Sequence, residues 1–428
     1  MSTAQIGLSA PLSGTAGLPG QRALTSGLVG QVHQVLSSDL PDVLKLVGDL
    51  EADLHLTREE AVSLLYRVVL RLNLALFPPV TKLELIHTEG CNLACTYCFE
   101  REMLGYRRMP LEIAKAGVDL LFDYSGDRPD VSITHFGGEP TLNFSAIQAV
   151  TEYAEEKAGL LGKSVHFDMT SNGTLMNEGM ARYCADHKIM VLLSVDGLEA
   201  THDRFRVDKK GRGSFERAMK GLSVLKQFQP WVGVKVTVMP QNVSSLCDDV
   251  KGLYQVGVNQ FLIGHATGVQ WCADDLAIFS DQFERLYRWY KESPRTDLRI
   301  KDFDDLETME PQYFGCQAGK DNITVHITGE VSPCAKILAL DNKQLLAKLG
   351  DVWHGLTHLR NRSELVHCDQ LRAACDRKQI AADFQGGCWA ENFEDNDDLN
   401  EPSLQGYQFS ILRRSACSGC NSSGKPNR

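Results

Sequence analysis

Three cysteines, Cys91, Cys95 and Cys98, fall within EGCNLACTYCFE (residues 89–100), with Tyr97 just before the last. A zinc site would want a fourth nitrogen or sulfur ligand to close its tetrahedron. Three thiolates at this spacing with no fourth nearby suit instead a cubane iron–sulfur cluster with one iron left open, where a substrate or cofactor can bind. FGGEP (136–140) places Gly137 and Gly138 before Glu139, and glycines let the backbone come close to a ligand. TSNGT (170–174) contributes Ser171 and Asn172. SVDG (194–197) and THDRFRVDKKGRGSF (201–215) contribute Ser194 and Arg206, whose guanidinium suits a carboxylate. In the same stretch Asp196 reads as a turn cap, and Phe99 as either a core aromatic or a platform for a flat ring. Seven of the 13 cysteines are late in the chain: Cys316, Cys334, Cys368, Cys375, Cys388, Cys417 and Cys420. Such density reads as a small domain tied together by metal.

These residues need a frame. β-rich runs at 82–88, 131–136, 165–170, 190–195, 232–239 and 260–264 alternate with helical stretches at 111–125, 145–159, 178–187, 214–228, 245–257 and 279–293. Alternation of that kind predicts an α/β fold with a parallel sheet covered by helices, here an incomplete (β/α)6 barrel of the TIM type. Chemistry in such folds sits on loops beyond the carboxyl ends of the strands, where the cysteine loop, GGEP, TSNGT and SVDG all fall. Residues 22–80 read as a helical extension, with a capping-box start at Thr57 and Glu60. The expected domains are a disordered tail at 1–21, this extension at 22–80, a barrel core at 81–300 and a cysteine-rich domain at 301–428.

Composition narrows the setting. The net charge of −11 argues against a nucleic-acid backbone as the main ligand. No apolar run approaches the roughly 18 residues of a membrane helix. The first residues lack the basic and apolar regions of a signal peptide, so the expected compartment is the cytoplasm, where clustered thiols more often mean metal or catalysis than disulfides.

The spacing Cys91-x3-Cys95-x2-Cys98 with Tyr97 resembles the radical SAM superfamily, and the motifs that follow agree with it. The resemblance implies a 4Fe–4S cluster on these three cysteines, whose open iron chelates S-adenosylmethionine, and one-electron cleavage to a 5′-deoxyadenosyl radical. It implies that Gly137, Gly138 and Glu139 hold the methionine ammonium, that Ser171 and Asn172 contact the ribose, and that Ser194 and Arg206 bind the methionine carboxylate. CQAGKDNITVHITGEVSPC (316–334) and LGDVWHGL (349–356) resemble the SPASM extension of radical SAM enzymes that modify peptides. That resemblance implies one or two auxiliary 4Fe–4S clusters, the first on Cys316, Cys334 and Cys388, with Cys375, Cys417 and Cys420 available for a second. Lys378 and Phe384 stand where the family has two more cysteines, so the second set departs from the pattern.

The implied function is hydrogen abstraction from a ribosomally made peptide or a protein, ending in a crosslink, epimerisation, excision or oxidation. Sulfatase oxidation is less favoured, because Ala335 follows Cys334 where sulfatase-maturing relatives carry Asp. The implied partners are a precursor peptide, a separate leader-binding protein and an electron donor such as flavodoxin or ferredoxin. A small-molecule radical SAM enzyme and a non-catalytic iron–sulfur carrier are the alternatives, and GGEP and TSNGT speak against the carrier, which needs no cofactor pocket.

Overall fold

The structure is a computed structural model, and it describes residues 26–38, 41–292, 296–308, 314–340, 348–381 and 384–418. The expected tail at 1–21 and Cys420 lie outside the described residues.

Helices α1 (Ser26–Leu36), α2 (Val43–Leu54) and α3 (Arg58–Leu76) make up the N-terminal extension. At the start of α3 the Thr57 side chain accepts from the Glu60 amide while Glu60 accepts from the Thr57 amide, so two backbone donors that the helix leaves unmatched are satisfied. The apolar faces of the three helices close on one another through Leu36, Val47, Leu65 and Val68, and Leu359 from far along the chain joins them.

The alternation follows: β1 (Lys82–Ile86), α4 (Leu111–Tyr124), β2 (Asp130–Phe136), α5 (Phe144–Leu161), β3 (Ser164–Ser171), α6 (Glu178–Asp186), β4 (Ile189–Ser194), α7 (Glu199–Phe205), α8 (Phe215–Leu225), β5 (Gly233–Val238), α9 (Leu246–Gln255), β6 (Gln260–His265) and α10 (Ala273–Glu292). A short β7 (Arg299–Ile300) and α11 (Lys301–Thr308) extend it past the six expected units. The C-terminal region adds β8 (Asn322–Val325), β9 (Glu330–Ser332), α12 (Ala335–Leu338), β10 (Gly350–Asp351), α13 (Leu359–His367), α14 (Asp369–Arg377), α15 (Trp389–Asn396) and α16 (Leu404–Ser418).

Among the described residues the ten strands lie in one sheet, in the order β10-β9-β8-β1-β2-β3-β4-β5-β6-β7. Strands β1 to β7 are parallel, and β8 runs parallel to β1 with Lys82 opposite Asn322. The cysteine-rich region therefore continues the barrel sheet, its β8–β9 hairpin covering the edge of β1. The phase of the strands explains the interior. Val131, Ile133, Val191, Leu193, Val234 and Val236 are buried on the helix-facing side. Glu84, Thr134, Asp168, Ser194, Lys235 and Thr324 occupy the alternate positions and face the lumen.

The N-terminal helices are locked to the C-terminal region by Arg362 on α13, which is fully buried. It donates to the Asn73 side chain and to the carbonyls of Pro78, Lys320 and Gly319, and its guanidinium lies over the Phe77 ring. Among the described residues no helix is long and apolar enough to cross a membrane.

Candidate active site

The loop after β1 carries Cys91, Cys95 and Cys98 and is held on both flanks. On one flank it runs beside the GGEP turn, where the Gly138 amide donates to the Thr88 carbonyl at 3.0 Å and the Glu139 amide to the Gly90 carbonyl at 2.8 Å. Only glycine fits here. Gly137 has φ +111°, and a Cβ on Gly137 or Gly138 would meet Thr88 O at 2.6 Å or Gly90 O at 2.4 Å. On the other flank the Ala94 and Thr96 amides donate to the carbonyls of Val207 and Phe205.

Glu139 is 1% exposed, and its carboxylate accepts four hydrogen bonds. Oε1 takes the Thr141 amide, the Thr141 hydroxyl and the Ser171 hydroxyl, and Oε2 takes the Asn172 amide at 2.8 Å. Burial pushes its carboxyl above the usual range, and these bonds offset the shift. Glu139 thus ties the turn after β2 to the end of β3. The Asn172 side-chain amide donates to Asn92 within the cysteine loop and reaches toward Cys91 Sγ at 3.9 Å. The Asn92 side-chain amide donates to the Thr174 hydroxyl, which in turn donates to the Asn172 side-chain oxygen.

Arg206, at the end of α7, makes a two-point pair with the buried Asp196, Nε and an Nη at 2.9 and 3.0 Å. Asp196 also accepts from the Tyr97 hydroxyl and the Thr237 amide. The Arg206 guanidinium sits 5.3 Å from the centre of the Tyr97 ring, and its positive charge acts on the Cys95 thiol. The fork that the sequence pattern offered to a methionine carboxylate is therefore already filled, and Asp196, which read as a turn cap, is the hub that fills it. Ser194 is half-buried at the last position of β4, beside Lys235 of β5. Phe99 is partly exposed and stacks on Phe136 with centroids 6.3 Å apart.

The thiols meet the test for a cluster that needs negative sulfur ligands. The Leu93 amide donates to Cys91 Sγ at 3.4 Å, Asn172 approaches the same sulfur, and the positive charge of Arg206 favours the Cys95 thiolate. Burial pushes Cys91 up to about 12 and Cys98 up to about 11, with neighbouring thiolates adding to both shifts. Thiols so placed release their protons when a positive centre stands among them. Among the described residues no three His, Cys, Asp or Glu side chains are drawn in to hold a single metal ion.

A second group forms in the C-terminal region. Cys316, Cys334 and Cys388 act on one another through their charges, nearby backbone amides favour the thiolate of each, and the Ile337 amide donates to Cys334 Sγ at 3.3 Å. As with Cys91 in the first group, one thiol of this group takes a backbone amide directly. Cys375 on α14 does not join them, its charged neighbours being Asp376, Glu401, Lys378 and Arg372. Cys417 stands near the end of α16, which packs along α10 and α11. The buried Cys368 thiol donates to the Leu365 carbonyl at 3.0 Å, as a protonated thiol does.

Sequence reading missed Glu84. This lumen carboxylate accepts from the Thr324 hydroxyl at 2.9 Å and from the Ala335 amide, next to Cys334, at 3.3 Å. Burial raises its pKa, and its charge acts on Glu100, two residues beyond Cys98, whose pKa burial lifts to about 8. Glu84 thus stands between the two cysteine groups. The signal was present in KLELI, HFDMT and VKVTV. A parallel strand buried on both faces reads as continuously apolar, so a charged residue at every second place marks a polar lumen.

Taken together, the site is an open parallel α/β barrel with a three-thiol loop above its first strand and a second thiol group at its edge. Residues 85–251 match the Radical SAM superfamily, and this part of the chain is a domain of that family. The cysteine-type anaerobic sulfatase-maturating enzyme of Clostridium novyi is 27% identical over 183 residues, 41% of this chain and 48% of that protein. The chain spans about half the length of the first curated relatives it matches. Two solved structures share the fold. Native anSMEcpe with bound AdoMet and Cp18Cys peptide superposes with a TM-score of 0.62 at 19% identity, over 81% of this chain and 100% of that one. Streptococcus suis SuiB bound to precursor peptide SuiA gives 0.55 at 17% identity, over 84% and 86%.

Proposed function

We propose that this chain is a radical SAM enzyme that modifies a peptide or protein by hydrogen abstraction. With a 4Fe–4S cluster and S-adenosylmethionine bound, the site would supply a 5′-deoxyadenosyl radical to a substrate in the lumen. In this reading Cys91, Cys95 and Cys98 hold the cluster. The backbone of Gly137 and Gly138, with Glu139 behind them, shapes the pocket for the methionine ammonium. Ser171 and Asn172 fix the third side, and Ser194 faces the methionine carboxylate. Arg206, anchored by Asp196, holds the charge of the Cys95 thiolate.

Cys316, Cys334 and Cys388 hold an auxiliary cluster beside the lumen, where an electron or a substrate sulfur can be taken up. The observation that carries the reading is the seam between the cysteine loop and the Gly137–Glu139 turn, two motifs joined by direct backbone bonds. The anSMEcpe and SuiB peptide complexes support a peptide as the substrate class.

The test is anaerobic incubation of the reconstituted protein with S-adenosylmethionine, dithionite and a deuterated peptide encoded beside this chain. Formation of 5′-deoxyadenosine carrying deuterium from the peptide is expected. Cleavage of the cofactor without deuterium transfer from any such peptide would remove the peptide reading.

A further inference from the structure

Among the described residues, the lumen holds one cation without a close partner. Lys235 is the third residue of β5, between the outward-turned and buried Val234 and Val236. Its side chain is exposed, yet what it is exposed to is the inside of the barrel. Burial is the largest influence on it, drawing its pKa below the ordinary lysine value, and the charges that act on it are Glu84, Arg206, Lys336 and Cys388. An ammonium that is open on the inner face of its strand and yet drawn down by burial stands within the barrel rather than on its outer surface.

The neighbouring interior cations are matched. Arg206 has Asp196, Lys336 has Glu394 at 2.7 Å, and Arg362 has Asn73 and three carbonyls. Lys235 has no hydrogen bond and no ion pair within 4 Å among the described residues. Glu84, its strongest charged neighbour, is turned instead to Thr324 and the Ala335 amide. A desolvated ammonium without a close counter-charge is costly, and the cost is relieved when a single negative charge arrives.

Position says where that charge would sit. Lys235 lies opposite Ser194 in the β4–β5 register, on the cofactor side, and feels Cys388 on the auxiliary side. The remaining lumen wall is hydroxyl and carboxylate: Thr134, Thr324, Asp168 and Glu84. Two carboxylates oppose a doubly charged group such as phosphate, whereas one unmatched ammonium suits one carboxylate.

We propose that Lys235 is the substrate anchor of the lumen, holding a carboxylate of the peptide, either an Asp or Glu side chain or the C-terminus, between the two cysteine groups. The proposal rests on the peptide reading above and names the chemistry of the residue the site selects. Its rival for the same ammonium is the methionine carboxylate of the cofactor.

The experiment is a brief pulse of an N-hydroxysuccinimide acetate reagent on the reconstituted full-length protein, with acetylation of Lys235 read by mass spectrometry against the exposed Lys209 as an internal reference. N-acetylglutamate is the probe and N-acetylglutamine the control, with and without saturating S-adenosylmethionine. Expected is at least threefold slower labelling of Lys235 with N-acetylglutamate, no slowing with N-acetylglutamine, and no change at Lys209. That protection should persist when the cofactor is present. Equal rates with the two probes would overturn the proposal, as would full protection by S-adenosylmethionine alone or a Lys235 that does not label in the free protein. Failure here beside intact deuterium transfer from a peptide removes the anchor alone. Protection beside a failed peptide test leaves a carboxylate site and removes the peptide reading.

Discussion

Arg206 grips Asp196 with two nitrogens while the same positive charge acts on the Cys95 thiol, so an ion pair stands beside one thiol of the first cysteine group. Asp196→Ala leaves the buried guanidinium without its counter-charge. Loss of one partner from such a pair costs about 3–5 kcal/mol. Denaturant unfolding should show that loss, and iron retained after desalting should fall. Arg206→Lys should recover stability only in part, because an ammonium cannot make the two-point contact. Unchanged stability in both variants would make the pair incidental.

Replacing Cys91, Cys95 and Cys98 together with Ala should abolish 5′-deoxyadenosine formation and remove the iron of one cluster. Retained cleavage in that protein would sink the assignment of these residues.

Glu139→Gln tests the seam. A glutamine keeps one oxygen for Thr141 and Ser171 but turns its amide group on the Asn172 N–H, setting donor against donor. An unmade bond of this kind costs about 1–3 kcal/mol, or roughly a five- to hundredfold weakening of S-adenosylmethionine binding. Iron content should not change, which separates a fault in the pocket from a fault in the cluster. An unaltered dissociation constant by equilibrium dialysis would show the carboxylate to be dispensable.

The second cysteine group should hold one cluster. In a protein already lacking Cys91, Cys95 and Cys98, Mössbauer spectra should account for about four irons rather than about eight. Cys316→Ala or Cys334→Ala in the intact chain should spare cofactor cleavage and stop substrate modification, while Cys375→Ala should lose no iron. Eight residual irons would mean that Cys375, Cys417 and the remaining cysteines assemble a second site.

His202 is buried, with Nε2 bonded to Ser214 and Nδ1 without a partner, and burial holds its pKa down to about 4. The folded state keeps this imidazole neutral, whereas an unfolded chain protonates it below about 6.5. Its contribution is complete above that value and is lost as pH falls toward 4. Unfolding free energies should therefore drop by about 2 kcal/mol between pH 7 and pH 5 on account of this group alone. His202→Asn should remove that share of the slope. An identical slope in the variant would assign the pH dependence elsewhere.

The barrel was legible because its periodicity is strong: each of the six strand runs appears within a few residues of its expected place, and the motifs sit on the loops after them. The helix over 199–205 was not read, since EATHDRF is short and has no apolar stripe. The pairing of β8 with β1 was also beyond reach, because a four-residue strand says nothing about which distant edge it will cover. Within the site, spacing picked out Cys91, Cys95, Cys98 and the Gly-Gly-Glu turn, whose chemistry is local. Glu84 and Lys235 went unassigned, and Asp196 read as a turn cap, because their meaning depends on what the rest of the fold brings opposite them. A guanidinium in a sequence looks free until the carboxylate ten residues before it folds back onto it.

The placement of β8 against β1 also sets a schedule for biosynthesis. As the chain leaves the ribosome, the first barrel strand is made early, but the neighbour of Lys82 is Asn322, and until that residue emerges one edge of the growing sheet has nothing to bond to. The same wait applies to α3, whose Asn73 meets Arg362 later still. An unpaired parallel edge and an unmatched helix face are the places where a nascent chain sticks to its neighbours. Truncated or stalled chains ending before residue 322 should accordingly be the aggregating species in expression, and a holding chaperone would do most good while the last quarter of the polypeptide is still being made.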